Sequence, residues 1–319
     1  MIDALELWHN RSKSWQSPAQ LPKGVEGEIC IRSRYSMISA GTERVVTTQA
    51  IDASIASNMA VPYMKGSLSQ EFTYGYSLVG EVVTADSDLS GQWVHVMHPH
   101  QNWACVRGED AYVLPVGMDV RLATLISNME TVVNAIWDAR IELGDRVLII
   151  GYGLIGALLA AMLRRYPGLN LEVMEQDPAR RHLITQHQLD QADPGRGAYD
   201  VVLNTSSSED ALNEAFQLTR IEGTVVEISW YGNNRVNLAL GADFHYGRKR
   251  LICSQVSHVP MRKQPAWDYK TRKDLVVRLL QEINPVHLIQ HEVPFEEAPG
   301  YYEKLRSGEI QELSTIIKY

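Results

Sequence analysis

The chain has no apolar run approaching the roughly 20 residues that a membrane-spanning helix needs, and its opening residues, MIDALELWHNRSKSW, lack the apolar core of a secretory signal. Both absences predict a cytoplasmic protein with no membrane partner. Cysteine is scarce: Cys30, Cys105 and Cys253 stand far apart and form no C-x-x-C pair, which predicts neither a disulfide framework nor a cysteine-rich zinc site. Clustered positive charge is missing as well. The net charge is −8, and the short basic group Arg248-Lys249-Arg250 reads as a solvated turn, so no nucleic-acid partner is expected and a small-molecule substrate is. There is no G-x-S-x-G, and therefore no nucleophilic serine in its usual setting. Internal repeats and low-complexity segments are absent too.

What is present centres on residues 146–163, RVLIIGYGLIGALLAAML. Four apolar residues run into Gly151-Tyr152-Gly153-Leu154-Ile155-Gly156, and an alanine- and leucine-rich segment follows, so the reading is strand, tight turn, helix. The G-x-G-x-x-G spacing suits a dinucleotide. Gly151 permits the sharp turn, Gly153 lets backbone approach a pyrophosphate, and Gly156 lets the helix sit close on its strand. The phosphates would face the free N–H groups at the start of the helix, at Leu154 and Ile155. A second apolar run over 169–174 ends in Glu175, placed where an acid takes the ribose 2′-hydroxyl. That carboxylate predicts NAD(H) over NADP(H), although Arg180 and Arg181 either reach a phosphate or point to solvent.

Further strands are predicted over 200–203, 223–228 and 251–256, with a helix over 209–219 between the first two. This alternation gives a doubly wound parallel sheet. The segment Thr205-Ser206-Ser207-Ser208 is expected to close the nucleotide crevice, with Ser208 or a neighbour capping the next helix. Trp230 follows a strand end on the side where such sheets bind ligands, so it either lines the nicotinamide pocket or packs in the core.

At 319 residues the chain is long for one core. The front, with alternating runs at 28–34, 74–84 and 93–97, reads as β-rich. The predicted division is an α/β Rossmann domain over 119–259 and a β-rich domain made of 1–118 and 260–319, because a strand, short helix and strand in the tail return to the front. A helix is expected over 269–281. The alternating run 235–240 predicts an edge strand that could pair in a homodimer.

With a β-rich front, a central dinucleotide fold and a C-terminal return, the chain resembles the medium-chain dehydrogenase/reductase superfamily along nearly its whole length. The matching landmarks are Gly41-Thr42-Glu43, Gly75-Tyr76-Ser77-Leu78-Val79-Gly80, Met129-Glu130, the glycine turn with Glu175, and VPFEEAPGYYEKLRSGE. Ile38-Ser39-Ala40-Gly41-Thr42-Glu43 is most similar to the bacteriochlorophyllide dehydrogenase branch, within the zinc-type alcohol dehydrogenase-like group. The resemblance implies a GroES-like β-rich catalytic domain joined to a Rossmann domain, and an oxidoreductase with a nicotinamide cofactor.

Zinc members of that superfamily place a Cys, a His and a Cys or Glu around the metal. Here those positions fall on Ser39 or Ala40, on Tyr76 and on Glu130, and one carboxylate does not make a zinc site. No metal is therefore expected. His98 and His100, in VHVMHPH, could share a strand face and either replace lost ligands, face substrate or remain hydrogen-bonded surface groups. Tyr76 stands where the zinc-binding histidine would be and Thr42 where relatives place a relay hydroxyl. Tyr76 either donates a proton to substrate or fills vacated volume, and Glu130 could hold Tyr76 or Thr42 in place. The expected function is a zinc-independent, NAD(H)-dependent oxidoreductase acting on an alcohol or carbonyl. A quinone or enone reductase and a non-catalytic nucleotide-binding sensor or scaffold are the alternatives.

Overall fold

The computed structural model of the chain describes residues 1–22, 25–49, 51–85, 87–193 and 195–319. It contains two compact units: Met1–Ser127 with Val286–Tyr319, and Asn128–Pro285.

The second unit is built on six strands in the order Asp190–Gln191, Asn170–Met174, Arg146–Ile150, Tyr199–Asn204, Thr219–Glu227, Arg250–Cys253. Every pairing is parallel. The central strand Arg146–Ile150 has Val147, Leu148 and Ile149 fully buried, as a strand covered on both faces must, and so its sequence is a continuous apolar run rather than an alternating one. Chain order moves outward to one side from Arg146–Ile150 and then restarts on its other side at Tyr199–Asn204. This puts the topological switch point, where such sheets bind ligands, between those two strands. The helix Leu154–Leu163 buries Ala157, Leu158, Leu159 and Ala160 almost completely. Ser208 caps the helix Glu209–Leu218 by accepting from the Ala211 N–H, as the sequence predicts.

Two expectations about this unit are corrected. Residues 235–240 form no strand: the Asn237 N–H is bound by Glu209 and the Ala239 N–H by Asn213. Those helix side chains take the donors that a strand partner would need, and the last strand of the sheet is Arg250–Cys253. The return to the first unit comes at Val286 rather than at residue 260. The reason is the helix Tyr269–Ile283, whose Arg272 is bound to Glu130, Asn134 and the Val256 carbonyl, all in the second unit.

The first unit carries two sheets. One runs His291–Pro294, Thr315–Lys318, Glu28–Ile38, Leu78–Val82, Trp93–Val96, Tyr112–Val113, with Trp103–Arg107 also paired to Glu28–Ile38. The other is Ser14–Leu21, Ile2–His9, Phe72–Thr73. The tail enters the larger sheet through Thr315–Lys318, which pairs antiparallel with residues 35–38. The architecture is a GroES-like β-rich unit plus a Rossmann unit, and no helix among the described residues is long and apolar enough to cross a membrane. The cysteine reading is also corrected. Cys30 and Cys105, 75 residues apart, face each other directly across antiparallel strands with Cα atoms 4.2 Å apart and are disulfide-bonded. Linear spacing carries no information about such a cross-strand pair.

Candidate functional site

In the Rossmann unit, Gly151 has φ +94°, and a Cβ there would lie 2.9 Å from the Thr205 hydroxyl. Thr205 Oγ1 donates to the Ile150 and Gly151 carbonyls, both at 3.0 Å, so it fastens the turn to the neighbouring strand. A Cβ on Gly156 would lie 2.0 Å from the Gly151 carbonyl oxygen, which explains the third glycine. At Gly153 the nearest atom to an added Cβ is Arg180 Nη1 at 4.0 Å. Open space over Gly153 is what a close-approaching pyrophosphate requires. Gly153 is also the N-cap of the helix and offers no side-chain cap, leaving the N–H groups of the first turn, around the half-buried Leu154 and Ile155, for a ligand. Glu175 accepts from the Tyr152 N–H at 2.7 Å and from the Asp177 N–H at 2.9 Å, which fixes its carboxylate beside the turn. Arg181 is exposed, as one sequence reading has it; Arg180 is half-buried and turned toward Gly153. These residues fit a dinucleotide.

In the β-rich unit, Ser39 is the N-cap of the helix Ala40–Thr48, and Glu43 lies in its first turn, where the helix dipole favours a carboxylate. Glu43 is only 1% exposed. Its Oε1 accepts from the Ser39 N–H at 2.7 Å; its Oε2 accepts from His100 Nε2 at 3.2 Å and from the Tyr302 hydroxyl. A carboxylate cannot donate, so His100 carries a proton on Nε2. His100 Nδ1 lies 2.7 Å from Ser36 Oγ, which lies 2.8 Å from the Tyr319 hydroxyl. A buried polar chain thus runs Tyr319, Ser36, His100, Glu43. The imidazole presses on backbone at Gly75, where φ is +123° and a Cβ would come within 2.8 Å of the ring nitrogen.

Next to that glycine, Tyr76 is half-buried, and its hydroxyl is hydrogen-bonded to the Ser39 and Thr42 side chains. Burial, and after it the Glu43 carboxylate, pushes the Tyr76 phenol up to about 12, while the bonds to Ser39 and Thr42 pull the other way. The group is a neutral proton donor across the physiological range. Tyr76 and Thr42, paired in the sequence reading, do meet. Glu43 is the residue that reading missed. Its triplet is a landmark of the resemblance, but nothing in a nine-residue helix marks one glutamate as buried.

Glu130 belongs to the Rossmann unit and pairs with Arg272 at 3.3 Å, both buried; in the β-rich unit the side chains that hold the Tyr76 hydroxyl are Ser39 and Thr42. His98 and His100 follow the strand Trp93–Val96 instead of sharing a strand face, and both are buried rather than at the surface. His98 stacks on Tyr63 at 5.2 Å and bonds the Pro99 carbonyl, and desolvation lowers its pKa to about 4. Trp230 is half-buried just past the strand Thr219–Glu227. Zinc does not fit this donor set: Ser39 and Tyr76 present neutral hydroxyls that bond each other, and the Glu130 carboxylate is taken by a guanidinium. No group of three or more His, Cys, Asp or Glu able to hold a metal ion occurs among the described residues.

No family model matches the chain. Among curated proteins it is similar to D-guloside 3-dehydrogenase of Shigella flexneri, 23% identical over 86% of this chain and 88% of that one. Among solved structures it resembles 2R,3R-butanediol dehydrogenase from Bacillus subtilis, with a TM-score of 0.76 at 16% identity over 99% of each chain. It also resembles acetophenone reductase from Geotrichum candidum NBRC 4597, solved in complex with NAD, with a TM-score of 0.75 at 15% identity over 99% of this chain and 97% of that one.

Proposed function

We propose that the protein is an NAD(H)-dependent oxidoreductase that interconverts an alcohol and a carbonyl without catalytic zinc, using Tyr76 as the proton donor. The observation that carries this reading is the Tyr76 hydroxyl, held by Ser39 and Thr42 with the buried Glu43 carboxylate behind it. Gly151, Gly153, Gly156 and the amides of Leu154 and Ile155 would hold the pyrophosphate, Glu175 the ribose hydroxyl, and Thr205 the shape of the turn. When bound, the nicotinamide supplies hydride. As hydride reaches a carbonyl carbon, negative charge grows on its oxygen, and a positioned donor there is worth a hundredfold or more in rate. Tyr76 supplies the proton to that oxygen; in the oxidative direction it receives the proton back. Because Glu175 repels a 2′-phosphate, NAD(H) is preferred; Arg180 at Gly153 serves the pyrophosphate side of the turn.

The named activities of the relatives, on D-guloside and butanediol, support an alcohol or carbonyl substrate over an enone or quinone. For a homodimer, the edge strand Arg250–Cys253 takes the place first expected of 235–240. The test is Tyr76→Phe, which keeps the ring and removes the hydroxyl. NADH affinity is expected to stay within about twofold while turnover on a carbonyl from a panel of ketones, enones and quinones falls at least tenfold. Unchanged turnover would reduce Tyr76 to packing.

A further inference from the structure

Glu227 ends the strand Thr219–Glu227 at its carboxyl edge, after the fully buried Val225 and Val226, and is itself only 8% exposed. An apolar residue would suit that position. A buried carboxylate without a cation costs several kcal/mol unless its oxygens are satisfied, and here donors of three residues reach it, the Ser229 hydroxyl among them. Asn204 Nδ2 donates at 2.6 Å, the Ser229 N–H at 2.8 Å and the Tyr231 hydroxyl at 3.2 Å.

The partners lead directly to the cofactor turn. Asn204 ends the strand beside the switch point, paired in register with Glu227. With its Nδ2 committed to Glu227, its Oδ1 accepts from the Ser206 N–H at 3.2 Å and the Ser206 hydroxyl at 2.7 Å. Ser206 in turn presses on the glycine turn, since its backbone lies 3.2 Å from where a Gly151 Cβ would be. On the other branch, the Ser229 hydroxyl accepts from the Ser207 N–H at 2.9 Å. Ser207 is held at φ +55°, a left-handed conformation that a non-glycine residue adopts only when its surroundings impose it.

We propose that Glu227 is a positioning residue for the cofactor: through Asn204 and Ser229 it holds segments 205–208 and 228–231 in the shape that walls the glycine turn, so its loss weakens dinucleotide binding rather than the fold. This rests on the reading of the Rossmann unit as a dinucleotide site. A merely structural carboxylate would lower thermal stability and leave the affinity of the folded protein alone. A positioning carboxylate moves affinity, and it frees the Ser207 and Ser229 amides that it indirectly or directly holds.

The experiment compares the parent chain, Glu227→Leu and Ser229→Ala by NADH fluorescence titration, and follows amide hydrogen exchange in each without nucleotide. For Glu227→Leu, NADH dissociation constants at least tenfold weaker are expected, with exchange at Ser207 and Ser229 at least tenfold faster and the amides of Val225 and Val226 unchanged. Ser229→Ala cuts the tie to Ser207 and the hydroxyl's own bond to Glu227 but keeps the carboxylate and the strand, so it serves if Glu227→Leu does not fold; about threefold weaker binding and faster exchange at Ser207 are expected. Parent-like NADH affinity in the folded variants overturns the proposal. Faster exchange in the variants of a parent that binds no dinucleotide would leave the network as drawn but sink both the cofactor reading and the role assigned to Glu227.

Discussion

His98 shows what burial does to a group that the sequence presents as a candidate ligand. Desolvation comes first among the causes that lower its pKa to about 4 from 6.5; Lys65 and His100 push the same way, and the bond to the Pro99 carbonyl opposes them. The folded state therefore binds this proton less well than the unfolded chain. The associated stability is present above pH 6.5 and is lost as pH falls from there toward 4, with an upper bound of about 3 kcal/mol. His9, also buried and also lowered, adds in the same direction. His98→Phe keeps a ring on Tyr63 and removes the titration. Urea unfolding at pH 7 and pH 5 should find the difference in stability between those two conditions smaller by about 2 kcal/mol in the variant, and an unaltered difference would contradict the assignment. At this scale the sequence was only partly legible. The spacing that pairs Tyr76 with Thr42 comes from the resemblance, whereas the burial of Glu43 and His100 depends on Gly75, Tyr302 and Tyr319, far apart in the chain and brought together only by the tail's return.

At the level of elements, the glycine turn and its helix were the most readable part of the chain, because each glycine answers a local steric demand that its neighbours reveal. Gly156→Ala tests the strongest of these. A methyl 2.0 Å from the Gly151 carbonyl oxygen must push the helix Leu154–Leu163 off its strand, costing roughly 1–3 kcal/mol. Loss of measurable NADH binding together with a lowered melting temperature is expected, and parent-like binding would show that the turn does not seat the dinucleotide. The run 235–240 was misread for an equally physical reason. Its alternation satisfies the pattern of a strand, but Asn237 and Ala239 give their N–H groups to Glu209 and Asn213, and no local pattern reports on the acceptors of a neighbouring helix. The Cys30 and Cys105 pair failed to appear for the same reason, being a matter of register between strands.

For the molecule as a whole, the two-unit organisation could be read from strand and helix alternation, but the point of return could not: the helix Tyr269–Ile283 is amphipathic in either setting, and the Arg272 ion pair with Glu130 is what assigns it to the Rossmann unit. That pair also engages the one carboxylate that the sequence offered as a metal ligand. In the proposed reaction the dinucleotide is held by the Rossmann unit and the proton comes from a neutral phenol of the β-rich unit, with no metal. The most direct measurement is elemental analysis of the protein purified without added metal, alongside NADH oxidation by an accepted carbonyl with and without chelator. Well under one zinc per chain and the same rate in chelator are expected. About one zinc per chain, removed together with activity, would contradict the metal-free reaction.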